Sequence, residues 1–219
     1  MPDTSLLSPF VVKLGGGLML DKDAFTLPPG AATQLQNFEP DINGGYRRIN
    51  GFTKYDSNQV GGSSGTILGV HIYKNQVIAA QGTAVYKGTG SGWTSIDTGR
   101  TSAGRYNFVN FNFDGTDKMI MVDGTNLASV YDNSSVTDVN ASGRPADPAF
   151  VEVFRSHVFY AGMSASPQEL IFSVPFDEDD FTGGSGAGSI KVDGIIKGIK
   201  VFRERLFVFC EDSIFKITG

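Results

Sequence analysis

Residues 66–219 repeat one pattern of apolar and polar positions. Three segments align without a gap: VHIYKNQVIAA from Val70, VEVFRSHVFYA from Val151 and IKVFRERLFVF from Ile199. In each, apolar and polar residues alternate, a few mostly polar residues follow, and an apolar run ends the segment. This is the pattern of a strand, a tight turn and a second strand. A fourth copy, VNFNFDGTDKMIMVDG from Val109, has the same frame with a longer turn.

The spacing of the copies predicts the fold class. Their first residues lie 39, 42 and 48 residues apart, and each interval holds further strand-sized runs bounded by glycine. A period of about 40–50 residues with several strands per unit is typical of a β-propeller blade. A β-sandwich is the alternative, because it also spaces its strands closely. The aligned hairpins favour an all-β protein with a β-propeller of about four units over residues 66–219.

The last of these units is predicted to be incomplete. After Ile199 only the first hairpin fits before Gly219. A propeller closes by pairing its first and last strands, because an open edge invites pairing with other chains. The N-terminal strands, further chain or another subunit could complete this unit. The apolar ending RLFVFCEDSIFKITG favours further chain, so we expect the sequence to be part of a longer protein.

Residues 1–60 have a different pattern and form a separate predicted segment. LGGGLML suggests a strand interrupted by glycine. LPPGAATQLQNFEP predicts one short helix that begins after Pro-Pro-Gly and ends at Pro40, with Ala31, Ala32, Leu35 and Phe38 on one face. This segment is therefore expected to contain a strand, a short helix and a hairpin.

The hairpin is predicted by FEPDINGGYRRINGFTKYD, residues 38–56. Asn43-Gly44-Gly45 supplies the positive φ angles of a turn. In the strand that follows, the alternation of side chains places Tyr46 and Arg48 on one face and Arg47 on the other.

Composition and charge restrict the possible functions. The chain has 219 residues, a net charge of −5 and one cysteine, Cys210. Bulk electrostatics therefore do not favour nucleic-acid binding, and neither an intrachain disulfide nor a cysteine-based zinc site is possible. The N-terminus has an acid before any base and no long apolar stretch, so we expect neither a signal peptide nor a membrane anchor.

Few residues suggest chemistry. The acidic run FDEDDF, residues 176–181, could hold calcium but lacks the spacing and the glycine of a calcium loop. A solvated loop, with Phe176 and Phe181 packing inward at its ends, is favoured. His71 and His157 have no nucleophile or acid at a suggestive spacing. We expect no catalytic residue, no metal site and no cofactor.

The order of segments carries a resemblance. LGGGLML, PGAATQLQNFE, GGYRRINGFTKY and then propeller blades are similar to tailed-bacteriophage virion proteins, especially the nozzle or tail tubular B proteins of short-tailed phages. The resemblance covers roughly residues 12–60 by motif and 66–219 by architecture. It implies a non-enzymatic structural protein of the virion tail, in a homo-oligomeric ring that contacts other tail or adaptor proteins and through which DNA passes without specific binding. Nozzle proteins are much longer than this chain.

Tyr46, Arg47 and Arg48 are the candidate subunit-interface residues. One arginine is expected to pair with a carboxylate of a neighbouring subunit, because guanidinium suits bidentate pairing. The alternative is that these charges only keep a strand soluble. Contact with DNA phosphate in the lumen is less favoured, because each such contact would resist passage.

Two other functions stay open at this stage. A carbohydrate-binding or carbohydrate-cleaving propeller for host attachment is disfavoured because no Asp box occurs. A generic protein-interaction propeller is disfavoured because such domains lack the N-terminal helix and hairpin.

Overall fold

The computed structural model describes residues 14–102 and 104–218. The chain divides into two units, Met1–Lys54 and Tyr55–Gly219. The described part consists of strands, turns and two short 3-10 helices, Val60–Gly62 and Gly183–Ser185. The strands of the first unit are β1 (Gly17–Leu18), β2 (Ala31–Ala32), β3 (Phe38–Pro40) and β4 (Tyr46–Arg48).

The described part of the first unit, residues 14–54, contains two small strand pairs. β1 and β2 are parallel, and β3 and β4 form the predicted antiparallel hairpin. Glycine at Gly16 is required by this packing, since a Cβ there would lie 2.7 Å from the backbone nitrogen of Ala31. Gly44 and Gly45 in the hairpin turn have φ angles of 85° and 96°, as the sequence predicts.

The helix predicted over residues 27–40 is wrong. Pro28, Pro29, Gly30 and Ala31 form a turn closed by a hydrogen bond from the Ala31 amide to the Pro28 carbonyl at 3.1 Å. Gly30 has a φ angle of 85°, so Pro-Gly makes a type II turn here rather than starting a helix. An isolated helix of this length is marginal in water, and pairing of β2 with β1 gives the backbone other partners.

The second unit contains four antiparallel sheets in chain order. Within each sheet every strand pairs with the next one along the chain. Sheet 1 comprises β5 (Ile67–Tyr73), β6 (Gln76–Gln81), β7 (Ala84–Gly88) and β8 (Trp93–Asp97). Sheet 2 comprises β9 (Asn107–Asn112), β10 (Asp117–Val122), β11 (Ser129–Tyr131) and β12 (Val136–Asp138). Sheet 3 comprises β13 (Phe150–Phe154), β14 (His157–Ala161), β15 (Glu169–Phe172) and β16 (Gly188–Lys191), and sheet 4 comprises β17 (Ile196–Phe202), β18 (Arg205–Cys210) and β19 (Ile214–Ile217).

This arrangement confirms the predicted all-β, β-propeller-like fold. The four predicted hairpins are the first two strands of the four sheets. The first strands of successive sheets lie side by side. Sheet 4 has three strands, because Ile214–Ile217 pairs with β18. The expectation that only one hairpin follows Ile199 is therefore wrong by one strand.

Three of the hairpins share a two-residue turn. The turn residues are Lys74-Asn75, Arg155-Ser156 and Arg203-Glu204, and all six have φ angles between 46° and 64°. Positive φ at both central positions defines the type I′ turn, whose twist matches that of paired strands. In each hairpin the basic residue also lies over the ring of the aromatic residue before it, at 5.2 to 5.8 Å.

In the second hairpin, β9–β10, the inward-facing positions are shifted by one residue relative to the other three hairpins. Val151 and Ile199 pack against the preceding sheet, whereas Val109 packs against the following one. Phe108 instead faces sheet 1. Since side chains alternate along a strand, a shift of one residue reverses every face. The gap-free alignment at Val109 therefore finds the hairpin but assigns its faces wrongly.

The core of the second unit lies between neighbouring sheets. Three buried clusters join sheet 1 to sheet 2, sheet 2 to sheet 3, and sheet 3 to sheet 4. The largest fully buried side chains include Tyr73, Met119, Tyr160, Leu170 and Leu206. The inner sheets 2 and 3 thus pack against a sheet on both sides, and sheets 1 and 4 against one neighbouring sheet each.

Candidate assembly surface

Tyr46 ties the hairpin to the rest of the first unit. Its hydroxyl accepts a hydrogen bond from the Gly17 amide and donates one to the Gly30 carbonyl at 3.3 Å. One end of β4 is thereby fixed against β1 and against the Pro-Gly turn. This tyrosine therefore positions the two arginines that follow it.

Arg47 has its carboxylate partner within the same hairpin. It stands opposite Glu39 in the β3–β4 register, and its Nε atom lies 2.7 Å from Glu39 Oε1. Both side chains are exposed to solvent. An exposed ion pair of this kind contributes little to stability, on the order of 0–1 kcal/mol.

Arg48 is on the opposite face, where it stands opposite Phe38. It borders a shallow depression of about 500 Å³ with Asn37 and residues 49–52. Among residues 14–102 and 104–218, no carboxylate lies within ion-pair distance of Arg48. Of the two candidate arginines, Arg48 therefore has the guanidinium group that is more available to a partner.

The first unit also exposes large apolar side chains. Phe25, Ile42 and Phe52 are 99%, 100% and 96% exposed. Phe52 lines the same depression as Arg48, so an aromatic ring and a guanidinium group occur together there.

The acidic loop is held by protein donors. The Glu178 carboxylate lies 2.8 Å from Lys118 Nζ, and Asp179 accepts hydrogen bonds from the amides of Asn140 and Ala141 at 2.9 and 3.1 Å. Within the described part of the chain, no group of three or more His, Cys, Asp or Glu side chains could hold a metal ion. The loop thus secures sheet 3 to sheet 2.

The two phenylalanines of this loop differ. Phe181 packs against the buried cluster between sheets 2 and 3. Phe176 is 66% exposed and touches Phe113 only edge-on, at 6.3 Å between centroids. The expectation that both pack inward is therefore wrong for Phe176, whose ring is mostly exposed to solvent.

Both histidines make structural contacts. His71 Nε2 lies 2.8 Å from Asn110 Oδ1, and its ring stacks on Phe108. His157 Nδ1 donates to the Ser173 carbonyl at 2.6 Å. A similar link joins the first strands of sheets 3 and 4, where Lys200 Nζ lies 2.6 Å from Glu152 Oε2.

A buried charged cluster around Arg100 has no signal in the pattern of the sequence. Arg100 donates to Asp97 Oδ2 at 2.8 Å, to Ser129 Oγ at 2.7 Å and to Asp123 Oδ2 at 3.2 Å. Burial alone would raise the pKa of the Asp123 carboxyl, but hydrogen bonds from Asn126 and the neighbouring amides hold that pKa below its usual range. All of these donors and acceptors pair with one another, so the cluster joins sheets 1 and 2.

Comparisons with known proteins agree on the fold alone. No protein-family model and no curated protein matches the chain. It is similar to the computationally designed protein Ika4, with a TM-score of 0.52, 10% identity, and coverage of 77% of this chain and 99% of Ika4. It is also similar to the designed protein Ika8, with a TM-score of 0.55, 9% identity, and coverage of 86% of this chain and 57% of Ika8.

A natural structure shares the arrangement in part. The extracellular domain of a hybrid two-component system, BT4673, from B. thetaiotaomicron aligns with a TM-score of 0.51 and 10% identity, over 69% of this chain and 20% of that chain. In the described residues, no helix is long and apolar enough to cross a membrane.

Proposed function

We propose that this chain is a non-enzymatic structural subunit of a bacteriophage tail, located in the virion, in a ring of the nozzle type. DNA would pass through the ring without specific binding, and other tail or adaptor proteins would contact it. The observation that carries the proposal is a small strand unit with exposed Arg48 and Phe52, followed in the chain by a propeller-like unit. The resemblance of the N-terminal motifs to tail nozzle proteins supports the same role.

Arg48 is the residue to which we assign the subunit contact. Its guanidinium stands on the face of β4 opposite to Arg47, whose partner is already Glu39. A neighbouring carboxylate docking beside Phe52 would be desolvated by that ring. Removing one partner of a desolvated charge pair costs about 3–5 kcal/mol, which would be enough to abolish a ring held by one such contact per subunit.

Assembly of the Arg48→Ala variant tests this assignment. We expect the variant to keep the circular dichroism spectrum of the parent and to lose ring-sized particles in light scattering and negative-stain images. Arg47→Ala is the matched control, because it removes a neighbouring guanidinium whose partner lies within the chain. Equal assembly of both variants and the parent would contradict the interface.

The tail location needs a separate experiment. Virions of a phage that encodes this chain, labelled with an antibody against it, should carry the label at the tail. Label elsewhere, or none on intact and opened virions, would contradict the proposal.

A screen with polysaccharides and peptidoglycan tests the non-enzymatic role and should find no turnover. Turnover abolished by one carboxylate substitution would instead establish an enzyme.

A further inference from the structure

Within the described part of the second unit, sheets 1 and 4 each have one apolar face that no neighbouring sheet covers. On sheet 1, Val70 and Ile72 point away from sheet 2 and are 62% and 63% exposed, beside half-buried Val77. We name Val70, Ile72 and Val77 the first-sheet outer face. On sheet 4, Phe202, Phe207, Phe209 and Ile214 point away from sheet 3, and we name these four the fourth-sheet outer face. Ile214 is 65% exposed and stands opposite Phe209.

The two outer faces correspond to the two sides of the contacts by which neighbouring sheets pack together within the chain. Between sheets 3 and 4, Phe154 and Phe159 of one hairpin pack against Ile199 of the next. In the repeat, Phe202 and Phe207 occupy the positions of Phe154 and Phe159. By the same alignment Val70 occupies the position of Ile199. The fourth-sheet outer face therefore has the aromatic side of such a contact, and the first-sheet outer face has its aliphatic side.

We propose that a second copy of this chain covers both faces. The fourth-sheet outer face of each copy would pack against the first-sheet outer face of the other, so that two identical contacts close a ring of eight sheets. One copy covers 57% of Ika8, and a second copy would supply about the remainder. Head-to-tail contacts form a closed assembly only when their rotation closes. This self-association does not depend on the tail function.

The chemistry of the faces suits a permanent contact. Aromatic residues in the centre of a patch with polar residues around it are typical of protein interfaces. On sheet 4 the polar surroundings are Arg205, opposite Phe202, and Lys216, opposite Phe207. The apolar centre would be desolvated by the partner, while the long basic side chains keep their charged ends in water.

The mass of the purified 219-residue chain tests the proposal. Because the ring contact proposed above would add to this mass, the experiment is done in the Arg48→Ala background, which serves as the parent for the variants below. Size-exclusion chromatography with light scattering should then give twice the chain mass across dilution. Ile72→Asp and Phe209→Lys should each shift the protein to the monomer. Ile42→Asp is the matched control, because Ile42 is fully exposed in the first unit. It should stay dimeric. Thermal melts monitored by circular dichroism check that each variant is folded.

Mixing the two monomeric variants tests the head-to-tail geometry. One contact in the mixed dimer would join two parental faces, and the other would join the introduced carboxylate of one variant to the introduced ammonium group of the other. We therefore expect dimer to return on mixing Ile72→Asp with Phe209→Lys. A parental monomer overturns the proposal and would leave the outer faces to be covered by further chain. Open polymers, or a dimer indifferent to both substitutions, overturn it as well.

Discussion

Arg100 and Asp123 form an ion pair within the second unit, with 3.2 Å between Nη2 and Oδ2 and both side chains buried. Arg100 follows sheet 1 and Asp123 follows β10 of sheet 2, so the pair links two sheets. Asp123 also accepts hydrogen bonds from the Thr125 and Asn126 amides. One carboxylate thus orders a turn and neutralises a buried guanidinium.

Replacing Asp123 with alanine should be strongly destabilising. It leaves the Arg100 charge buried without that partner, and we expect the free energy of unfolding to fall by about 3–5 kcal/mol. Urea unfolding followed by circular dichroism measures this. Glu211→Ala is the control, because it breaks the exposed Lys197–Glu211 pair and should change that free energy by no more than about 1 kcal/mol. Equal effects of the two substitutions would show that the buried pair has no special role.

Asp123 should also make stability depend on acid pH. Its folded pKa is lowered, despite burial, by hydrogen bonds from Asn126 and Thr125. A lowered pKa stabilises the folded state above the unfolded value of about 3.9, and this contribution is lost as pH falls through the folded pKa. Urea midpoints between pH 6 and 2 should therefore fall more steeply for the parent than for Asp123→Asn. Parallel profiles would contradict this assignment.

Tyr160→Phe should stabilise the protein. The Tyr160 hydroxyl is buried, and it has no hydrogen-bond partner among residues 14–102 and 104–218. An unsatisfied buried hydroxyl costs about 1–3 kcal/mol, so its removal should raise the free energy of unfolding by about 1 kcal/mol. Thermal melts at pH 7 measure the gain. Tyr73→Phe is the control, because the hydroxyl of this buried tyrosine donates a hydrogen bond to the Asp117 carbonyl, and it should show no such gain.

Tyr160→Phe should also reduce the loss of stability at alkaline pH. Burial raises the pKa of Tyr160 far above its ordinary value, and burial raises the pKa of Tyr106 to about 12. A raised tyrosine pKa leaves stability intact below the unfolded pKa of about 10 and reduces it as pH rises above that value. Between pH 10 and 12 the parent should lose stability faster than Tyr160→Phe. An identical loss in both proteins would exclude Tyr160 as a cause.

Glu204→Gly should stabilise the last hairpin. Glu204 is the second residue of a type I′ turn and has a φ angle of 58°, which glycine adopts without strain. We expect a gain of about 0.5–1 kcal/mol in the free energy of unfolding. Lys216→Gly, in the middle of β19, should instead lose about that amount. Chemical denaturation measures the change in the free energy of unfolding for both variants. A decrease for Glu204→Gly would contradict the turn assignment.

The repeated hairpins could be predicted well from the sequence, and the long-range features poorly. Alternation from Val70 or Ile199 depends on local geometry, so each hairpin could be recognised without its neighbours. The error at Pro29-Gly30 arose because the same dipeptide can start a helix or make a type II turn, and pairing with β1 decided between them. Arg100 could not be linked to Asp123, because their contact depends on how two sheets pack.

For the candidate surface, the faces of the arginines could be predicted but their partners could not. Alternation along β4 correctly separates Arg47 from Arg48. The pairing of Arg47 with Glu39 depends on the register across the turn, and side-chain alternation alone does not determine that register. The exposed aromatic ring of Phe52 near Arg48 likewise depends on the path of the chain after the hairpin.

The strictly sequential order of strands in the four sheets has a consequence for synthesis on the ribosome. Each strand pairs with the one made just before it, and each buried cluster needs only the next sheet. Contacts of such short sequence separation form quickly and require little of the remaining chain. Sheet 1 can therefore bury Tyr73 as soon as sheet 2 emerges, and the second unit can fold in step with translation, exposing at any moment the outer face of sheet 1 and the apolar face of its newest sheet.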